Sequence, residues 1–295
     1  FFKQKTAYEI PKRDWSSDVC SSDLAIARFA LNSLTSGSYN VGVGDTALQN
    51  TTTGSNNTAL GMQALISNTT ASGNTAVGYQ ALYGNTTGYF NNAVGQQALQ
   101  SNTTGRYNNA VGESCLLNNT TGDSNVAMGG SAMRGNTTGG SNTGIGESAL
   151  RSNTTASYNT AVGSNSLTTN TTGTSNTAVG YTALYANTTG TENVAMGARA
   201  AENSTTASDV TAVGFRAARA NTTGTPTAFG AYALDGNTTG TNNTALGSQA
   251  LASNTTASES TSVGYQALYT NNANKNTALG YQAGYTNSKI GRAHV

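Results

Sequence analysis

The chain reads NTAVGYQALYGNTTGYF from Asn74 to Phe90, and this 17-residue unit recurs in register along most of the sequence. Each unit has a glycine that follows a large apolar residue. The spacing between these glycines is 17 residues except at two places, where it is 16. A short fixed period indicates a quasi-one-dimensional array, in which each unit buries its apolar residues only against its neighbours. The fifteen glycines are Gly44, Gly61, Gly78, Gly95, Gly112, Gly129, Gly146, Gly163, Gly180, Gly197, Gly214, Gly230, Gly247, Gly264 and Gly280.

Positions in the unit are counted here from the recurring glycine as position 0. Position −4 is usually Asn, −2 is usually Ala, −1 is always a large apolar residue, +3 is usually Ala and +4 is usually Leu. Positions +7 to +10 read Asn-Thr-Thr-Gly or Asn-Thr-Thr-Ala in most units. In the unit quoted above these residues are Asn74, Ala76, Val77, Ala81, Leu82 and Asn85–Gly88.

This pattern predicts one coil of a β-solenoid. The stretch from Asn74 to Gly78 is typical of a short strand, with Thr75 and Val77 on one face and Asn74 and Ala76 on the other. The glycine then permits a tight turn. Positions +1 to +6 form either a second strand or a single helical turn, and Asn-Thr-Thr-Gly forms a turn in which Asn and Gly take up left-handed or positive-φ backbone. The predicted fold class is all-β, a parallel solenoid of about 15 coils stacked about 4.8 Å apart.

The apolar content of one coil predicts self-association. Burial of the two large apolar residues, at −1 and +4, contributes roughly 3–6 kcal/mol per coil. Ordering each residue costs about 1–2 kcal/mol, so the cost for the whole coil is larger than this gain. The alanines at −2 and +3 then suggest a face of small side chains that another chain approaches closely. We therefore expect a homo-oligomer, with three chains as the favoured number.

The two ends of the chain are interpreted as translated sequencing adapter. Residues 290–295 back-translate as ATC GGA AGA GCA CAC GTC, and the reverse complement of this DNA encodes residues 18–23. The alternative is a genuine basic N-terminal arm. On the adapter interpretation both natural ends are missing, and Trp15, Cys20 and His294 do not belong to the natural protein. The predicted organisation is 1–24 adapter translation, 25–39 lead-in to the array, 40–289 repeat solenoid and 290–295 adapter translation.

Composition excludes several classes of function. Between residues 25 and 289, nine basic and nine acidic side chains cancel, so nucleic-acid binding lacks its basic footprint. Cys115 stands where other units have Ala, which predicts a small buried side chain. Without His294 the chain has no imidazole, and its carboxylates are scattered. We predict no enzyme activity, no catalytic residue, no metal site and no cofactor, and no direct membrane insertion by this segment.

The pattern Ala-x-Gly-x-x-Ala, as in Ala76–Ala81 and Ala245–Ala250, resembles the head repeats of YadA-type (Hep/Hag-like) trimeric autotransporter adhesins. Related repeats form shafts of phage-type tail fibres. The resemblance covers about residues 40–286. It implies a left-handed parallel β-roll with three chains around one axis, displayed outside the cell for attachment. The chain departs from the family in its longer coil, its Thr at position −3 and its additional Asn-Thr-Thr turn.

The Asn-Thr-Thr pattern is also an N-glycosylation acceptor pattern. Two interpretations stay open: a ladder of turns, which we favour, and a glycan-coated stripe. A third possibility is that ranks of threonine order water, as in ice-binding proteins, but adjacent threonines on a strand point to opposite sides. The candidate glycosylation sites are Asn68, Asn85, Asn102, Asn119, Asn136, Asn153, Asn170, Asn187, Asn221, Asn237 and Asn254.

Tyrosines at position +1 are candidate surface contacts: Tyr79, Tyr181, Tyr265 and Tyr281. They either stack on sugars of a receptor or pack between chains, and the second is favoured. The predicted function is an extracellular adhesive or structural fibre segment, on a cell surface or a virion. Its partners would be further copies of itself, as a trimer or filament, and a cell-surface receptor or glycan. The alternatives are a self-assembling glycan-decorated filament and an ice- or surface-binding solenoid.

Overall fold

The computed structural model describes residues 22–291 and 293–294, and within them the chain forms a parallel β-solenoid of about sixteen turns with no helix. Residues 1–21, 292 and 295, and with them most of the segments interpreted as adapter, lie outside the described residues. The strands are β1 (Leu24–Ile26), β2 (Val41–Val43), β3 (Thr58–Leu60), β4 (Thr75–Val77), β5 (Asn92–Val94), β6 (Asn109–Val111), β7 (Val126–Met128), β8 (Thr143–Ile145), β9 (Thr160–Val162), β10 (Thr177–Val179), β11 (Val194–Met196), β12 (Thr211–Val213), β13 (Thr227–Phe229), β14 (Thr244–Leu246), β15 (Thr261–Val263), β16 (Thr270–Asn271), β17 (Thr277–Leu279), β18 (Thr286–Asn287) and β19 (Ala293–His294).

The predicted strand before each glycine is confirmed. Strands β1–β15, β17 and β19 form one parallel sheet of 17 strands, and the short β16 and β18 pair separately. Each main-sheet strand pairs in register with the strand one coil away, so that Ala76 lies opposite Ala93. Equivalent positions therefore stack directly along the whole array.

The recurring glycine is required by both conformation and space. Gly78 has φ +132°, and a Cβ on it would lie 2.6 Å from the carbonyl oxygen of Gly95 in the next coil. A real side chain cannot approach a backbone oxygen so closely. Stacking at strand distance therefore explains why glycine returns once per coil.

Positions +1 to +6 form neither a second strand nor a helical turn, except that Thr270 and Thr286 at +6 begin the short strands β16 and β18. They form a series of turns in which positions +2 and +4 have left-handed backbone, as at Gln80 (φ 55°) and Leu82 (φ 51°). The Gln80 N–H donates to the Met62 carbonyl at 3.1 Å in one neighbouring coil, and the Leu82 N–H donates to the Ala98 carbonyl at 2.9 Å in the other. Because the chain does not alternate as a strand does, Ala81 and Leu82 are both buried.

The Asn-Thr-Thr-Gly corner is a turn, but the backbone predicted for it is wrong. Neither Asn85 nor Gly88 has a positive φ, and the left-handed residue on this side lies at position −5, as at Phe90 (φ 55°). Gly88 is needed for space, because a Cβ there would lie 2.3 Å from the carbonyl oxygen of Gly105.

The interior is narrow and is built mainly of alanine. The residues at −2, +3 and +4 are fully buried in almost every coil, for example Ala93, Ala98 and Leu99, and Cys115 takes the buried +3 position as predicted. The expectation that position −1 belongs to the core is wrong, because these side chains point outward and Leu246 is 51% exposed. The alanines also cannot offer a contact face to another chain, since they lie inside.

The array begins one coil earlier than the glycine pattern indicates. Strand β1 pairs in register with β2, and Ala27 follows it at the position of the recurring glycine with φ 98°. Residues 25–39, expected as a lead-in, thus complete a coil. At the other end β19 pairs with β17.

Adjacent glycines give a matched test of the stacking. We expect Gly129→Ala to destabilise the array by at least about 2 kcal/mol, because the residue has φ +124° and its Cβ would meet the Gly146 carbonyl at 2.7 Å. Gly130→Ala should change stability by less than about 0.5 kcal/mol, since a Cβ there meets nothing within 4 Å. Thermal unfolding followed by circular dichroism measures both. Equal melting temperatures for the two variants would contradict the close stacking.

Candidate functional surfaces

Two ladders of asparagine side chains run through the interior. The first is at position −4, where Asn74 is buried and its Nδ2 donates to the Gly88 carbonyl at 2.9 Å. Its Oδ1 accepts the backbone N–H of Asn91 in the next coil at 2.9 Å. Each asparagine thus closes its own coil and bonds the next one.

The second ladder is at position +7 and contains all eleven candidate glycosylation sites. The Asn85 Nδ2 donates to the Gly88 carbonyl at 2.9 Å and to the Asn68 Oδ1 at 3.1 Å. All eleven side chains are fully buried, and each donates from Nδ2 to the carbonyl three residues ahead. A glycan on Nδ2 would replace a hydrogen of this ladder and would need an exit to solvent. The geometry therefore favours the turn-ladder interpretation, and glycosylation stays a prediction.

Between Asn68 and Asn271 the second ladder has one break, at Ser204. In the preceding coil the Oδ1 of Asn187 is one of two buried side-chain polar atoms, among the described residues, that lack a hydrogen-bond partner. The following Asn221 reaches the Ser204 Oγ only at 3.5 Å. A buried acceptor without a donor costs about 1–3 kcal/mol. Residues 187–221 are therefore a weak point of the array.

The outward surface of the main sheet is a strip that we call the sheet face: positions −3 and −1 of strands β2–β15 and β17. Position −3 is mostly Thr, and position −1 is always apolar. No charged residue occupies either position on any of these strands. The −1 side chains are half-buried or exposed, as with Leu60 at 38% and Met128 at 45%.

The threonines of the Asn-Thr-Thr corner differ in exposure. The Oγ1 of Thr86 donates to the Thr103 carbonyl in the next coil at 3.0 Å, and this bond recurs along the corner. Thr87 is exposed. The corner thus presents one free threonine per coil, while the other stabilises the stack.

Paired tyrosines lie on the turn side. The four predicted tyrosines are exposed, at 40% for Tyr79, 57% for Tyr181, 42% for Tyr265 and 72% for Tyr281. The sequence reasoning missed that each is followed by a second tyrosine at +5; these are Tyr83, Tyr185, Tyr269 and Tyr285. In the last two of these coils the rings stack from coil to coil: the centroids of Tyr265 and Tyr281, at +1, lie 5.5 Å apart, and those of Tyr269 and Tyr285, at +5, lie 5.1 Å apart. The repeated Tyr-x-Ala-x-Tyr spacing in the sequence indicates this second tyrosine.

A shallow depression of about 270 Å³ lies at the second tyrosine pair. Its walls are Asn165, Tyr181, Thr182, Tyr185 and Glu202. The Thr182 Oγ1 donates to the Glu202 Oε1 at 3.1 Å. The depression is open to solvent and smaller than typical ligand pockets of about 300–1,000 Å³.

A second aromatic cluster, also missed from sequence, lies at positions −6 and −5. The rings of Tyr89, Phe90 and Tyr107 have centroids 5.4–5.6 Å apart. Arg106 donates to the Tyr89 hydroxyl at 2.6 Å and to Asp123, and these bonds raise the pKa of its guanidinium. Its exposed pairing with Asp123 adds little stability in water.

The described residues contain no group of three or more His, Cys, Asp and Glu side chains that could hold a metal ion. No helix that is long and apolar enough to cross a bilayer occurs in the described part of the chain. Comparison with known proteins found no matching family model, and no curated protein or solved structure is significantly similar.

Repair of the broken ladder is a direct test of its contribution. We expect Ser204→Asn to stabilise the array by about 1 kcal/mol, because the new Nδ2 would supply the donor that Asn187 lacks. The reverse change, Asn170→Ser, removes the bond to Asn153 Oδ1 and should cost about 1–3 kcal/mol. Urea unfolding measures both. Two changes of the same sign would contradict the ladder.

Burial raises the pKa of the Cys115 thiol to about 12. Since the thiolate is the reactive form, we expect iodoacetamide at pH 8 to leave Cys115 unmodified in the folded chain and to modify it in urea. A Cys20→Ser background removes the other thiol. Because folding raises this pKa, the buried neutral thiol stabilises the folded chain at pH values below the pKa of the unfolded thiol. This stabilisation is lost as the pH rises toward 12. Rapid labelling of native protein would contradict the buried position.

Proposed function

We propose that this chain is a segment of an extracellular fibre that holds and presents a repetitive adhesive surface, on a cell or a virion. The observation that carries the proposal is the uninterrupted stack: about sixteen coils at about 4.8 Å give a rod roughly 75 Å long. Every coil is bonded to the next through the backbone and, in most coils, two asparagines. Such a rod is suited to spanning distance and repeating a contact.

The chemistry of the surface supports a mechanical and adhesive role over catalysis. The polar groups of the interior are used in the two ladders. The exposed side chains include threonines, tyrosines, the apolar residues of the sheet face and ion pairs such as Arg28–Asp45 at 3.0 Å. Tyrosine presents a flat apolar ring with a polar hydroxyl, which suits contact with the mixed surface of a sugar. The receptor we propose is therefore a surface glycan.

An ice- or surface-binding role is a second candidate because of one observation. On most strands of the sheet face an outward Thr at −3 is followed by an outward apolar residue at −1, as with Thr160 and Val162. Because the strands pair in register, the sheet face carries one row of mostly threonine and one row of apolar side chains, parallel to each other. A glycan-decorated filament is supported less, because its attachment points are the buried asparagines.

The fibre proposal is tested first by shape. Negative-stain images of the full chain should show rods of constant width, and duplication of residues 44–179, eight coils, should lengthen them by about 38 Å. Compact particles that grow in all directions would contradict the proposal.

Adhesion is tested by passing beads that carry the protein over mucin-coated glass, because mucin offers many glycans. We expect retention under flow, and a several-fold loss when Tyr79, Tyr181, Tyr265 and Tyr281 are replaced by Ser. Tyr158→Ser is the control, because Tyr158 is 70% exposed on another side of the coil. Equal retention of both variants would reject the tyrosines as contacts, and no retention of the parent chain would reject adhesion to these glycans.

A further inference from the structure

We propose that the depression at the second tyrosine pair is a binding site for one neutral pyranose ring of a glycan. The inference rests on the proposed adhesive function and deepens it, because it names one coil and one class of sugar. The depression has a volume of about 270 Å³ and lies across three successive coils of the turn side. Its lining residues are Asn165, Tyr181, Thr182, Tyr185 and Glu202.

A shorter side chain opens the depression in this coil. Residues 79–83 and 265–269 read Tyr-Gln-Ala-Leu-Tyr, whereas residues 181–185 read Tyr-Thr-Ala-Leu-Tyr. In the first of these coils the Gln80 side chain is hydrogen-bonded to glutamines of both neighbouring coils, at 2.8 and 2.7 Å. Thr182 is shorter than glutamine and only 8% exposed, so it forms the floor of a depression between the two tyrosines.

The two tyrosines give the depression apolar sides. Tyr181 is 57% exposed and Tyr185 39%. The residues at position +1 of the neighbouring coils are Ser164 and Ala198, and these small side chains leave the Tyr181 ring uncovered. Tyr265, whose ring stacks on a ring of the next coil, is only 42% exposed. An uncovered tyrosine ring suits the C–H groups of a pyranose, and its hydroxyl suits the polar rim.

Polar groups lie at both ends of the depression. In the following coil, Glu202 accepts a hydrogen bond from the Thr182 Oγ1 at 3.1 Å and another from the Arg199 Nε at 3.0 Å. A carboxylate has about four acceptor positions, so Glu202 can also accept ligand hydroxyls. In the preceding coil the Asn165 Nδ2 donates to the Ser164 Oγ at 3.0 Å, and its amide offers a second N–H and a carbonyl oxygen. These groups match the hydroxyls of a sugar, which both donate and accept.

The charge of the site favours a neutral sugar. The Glu202 side chain is 14% exposed and forms an ion pair with Arg199, so the positive guanidinium offsets the carboxylate. A carboxylate alone would select an ammonium group, and a guanidinium alone would select an acidic sugar. The pair presents acceptor and donor groups side by side without a net charge.

The size of the depression limits its occupant to one ring. Its volume is below the roughly 300–1,000 Å³ of pockets that enclose drug-sized ligands. It is open to solvent, so the rest of a glycan can continue away from the protein. Because few groups of a single ring are desolvated there, we expect a dissociation constant on the order of 1 mM.

The test is saturation-transfer NMR of the full chain with the methyl glycosides of glucose, galactose, mannose and N-acetylglucosamine. We expect transfer to at least one of them. Thr182→Gln should weaken this binding by roughly tenfold or more, because the longer side chain fills the floor of the depression. Glutamine already stands between the paired tyrosines of other coils, so circular dichroism should show that the variant folds. Absence of transfer to all four glycosides would overturn the proposal.

The matched control is Ser131→Gln, which introduces glutamine at the same position +2 three coils away. It should bind the glycoside as the parent chain does, and equal weakening by both glutamine variants would overturn the proposal. Glu202→Gln keeps the shape of the side chain and removes its charge. We expect it to weaken binding by about tenfold, because a charge-assisted acceptor is lost. Unchanged binding by this variant would reject Glu202 as a ligand contact.

Charged sugars test the predicted neutrality of the ligand. Glucosamine and N-acetylneuraminic acid, each added to the parent chain, should bind more weakly than the best neutral glycoside. Tighter binding of either would assign the depression to a charged ligand and overturn the proposal.

Bead retention on mucin is measured separately. A parent chain that is retained but shows no transfer to any glycoside would overturn this inference without overturning the adhesive function. Glycoside binding that is lost in Thr182→Gln, in a chain that mucin does not retain, would support the site and reject adhesion to mucin.

Discussion

The structure depends on the in-register stacking of identical backbone positions, and the two asparagine ladders make that register specific. Asn74 and Asn85 both donate from Nδ2 to the Gly88 carbonyl, so one oxygen closes the coil from two directions. A slip by one residue would bury other side chains in place of these amides and leave polar groups unpaired, at a cost of about 1–3 kcal/mol each. Over many coils such costs add, which holds the array in one alignment.

A coil held by amides and backbone bonds needs only a thin apolar interior. Alanine at −2 and +3 lets opposite walls of the coil approach, and one leucine fills the remaining space. Where Leu at +4 becomes Ala201, the same coil has Ser204 in place of the second-ladder asparagine, and the next coil, with Ala218 at +4, has Val210 in place of the first-ladder asparagine. Val210 is a buried apolar side chain, whereas the change to Ser204 leaves the Oδ1 of Asn187 without a donor. The interior therefore tolerates exchange of apolar atoms more readily than loss of an amide.

The period of 17 residues was sufficient to predict parallel strands, the coil and the faces shared by alternate residues. It could not decide which face of the strand points inward, because Ala76 and Val77 are both apolar and alternation alone is symmetric. The left-handed backbone at Leu82 was also beyond prediction, since a bulky residue rarely adopts it outside a packed context. Ala27 escaped notice because it replaces the glycine that defines the unit. Of the candidate surfaces, exposure of the four tyrosines followed from their position, whereas burial of the eleven asparagines required the coil itself.

The same constraint that orders the interior also orders the surface. Once equivalent positions stack, every outward side chain belongs to a row, and a contact that is weak at one coil is repeated at the next at a fixed distance. Linked weak contacts gain strength through effective concentration without any new chemistry at the single site. If the chain has the proposed adhesive function, its binding capacity would grow with the number of coils and would not require a deep pocket. Insertion or loss of a coil would change the length of the array while leaving the contacts between the remaining coils unaltered, so in the proposed fibre the reach and the number of repeated contacts would change together.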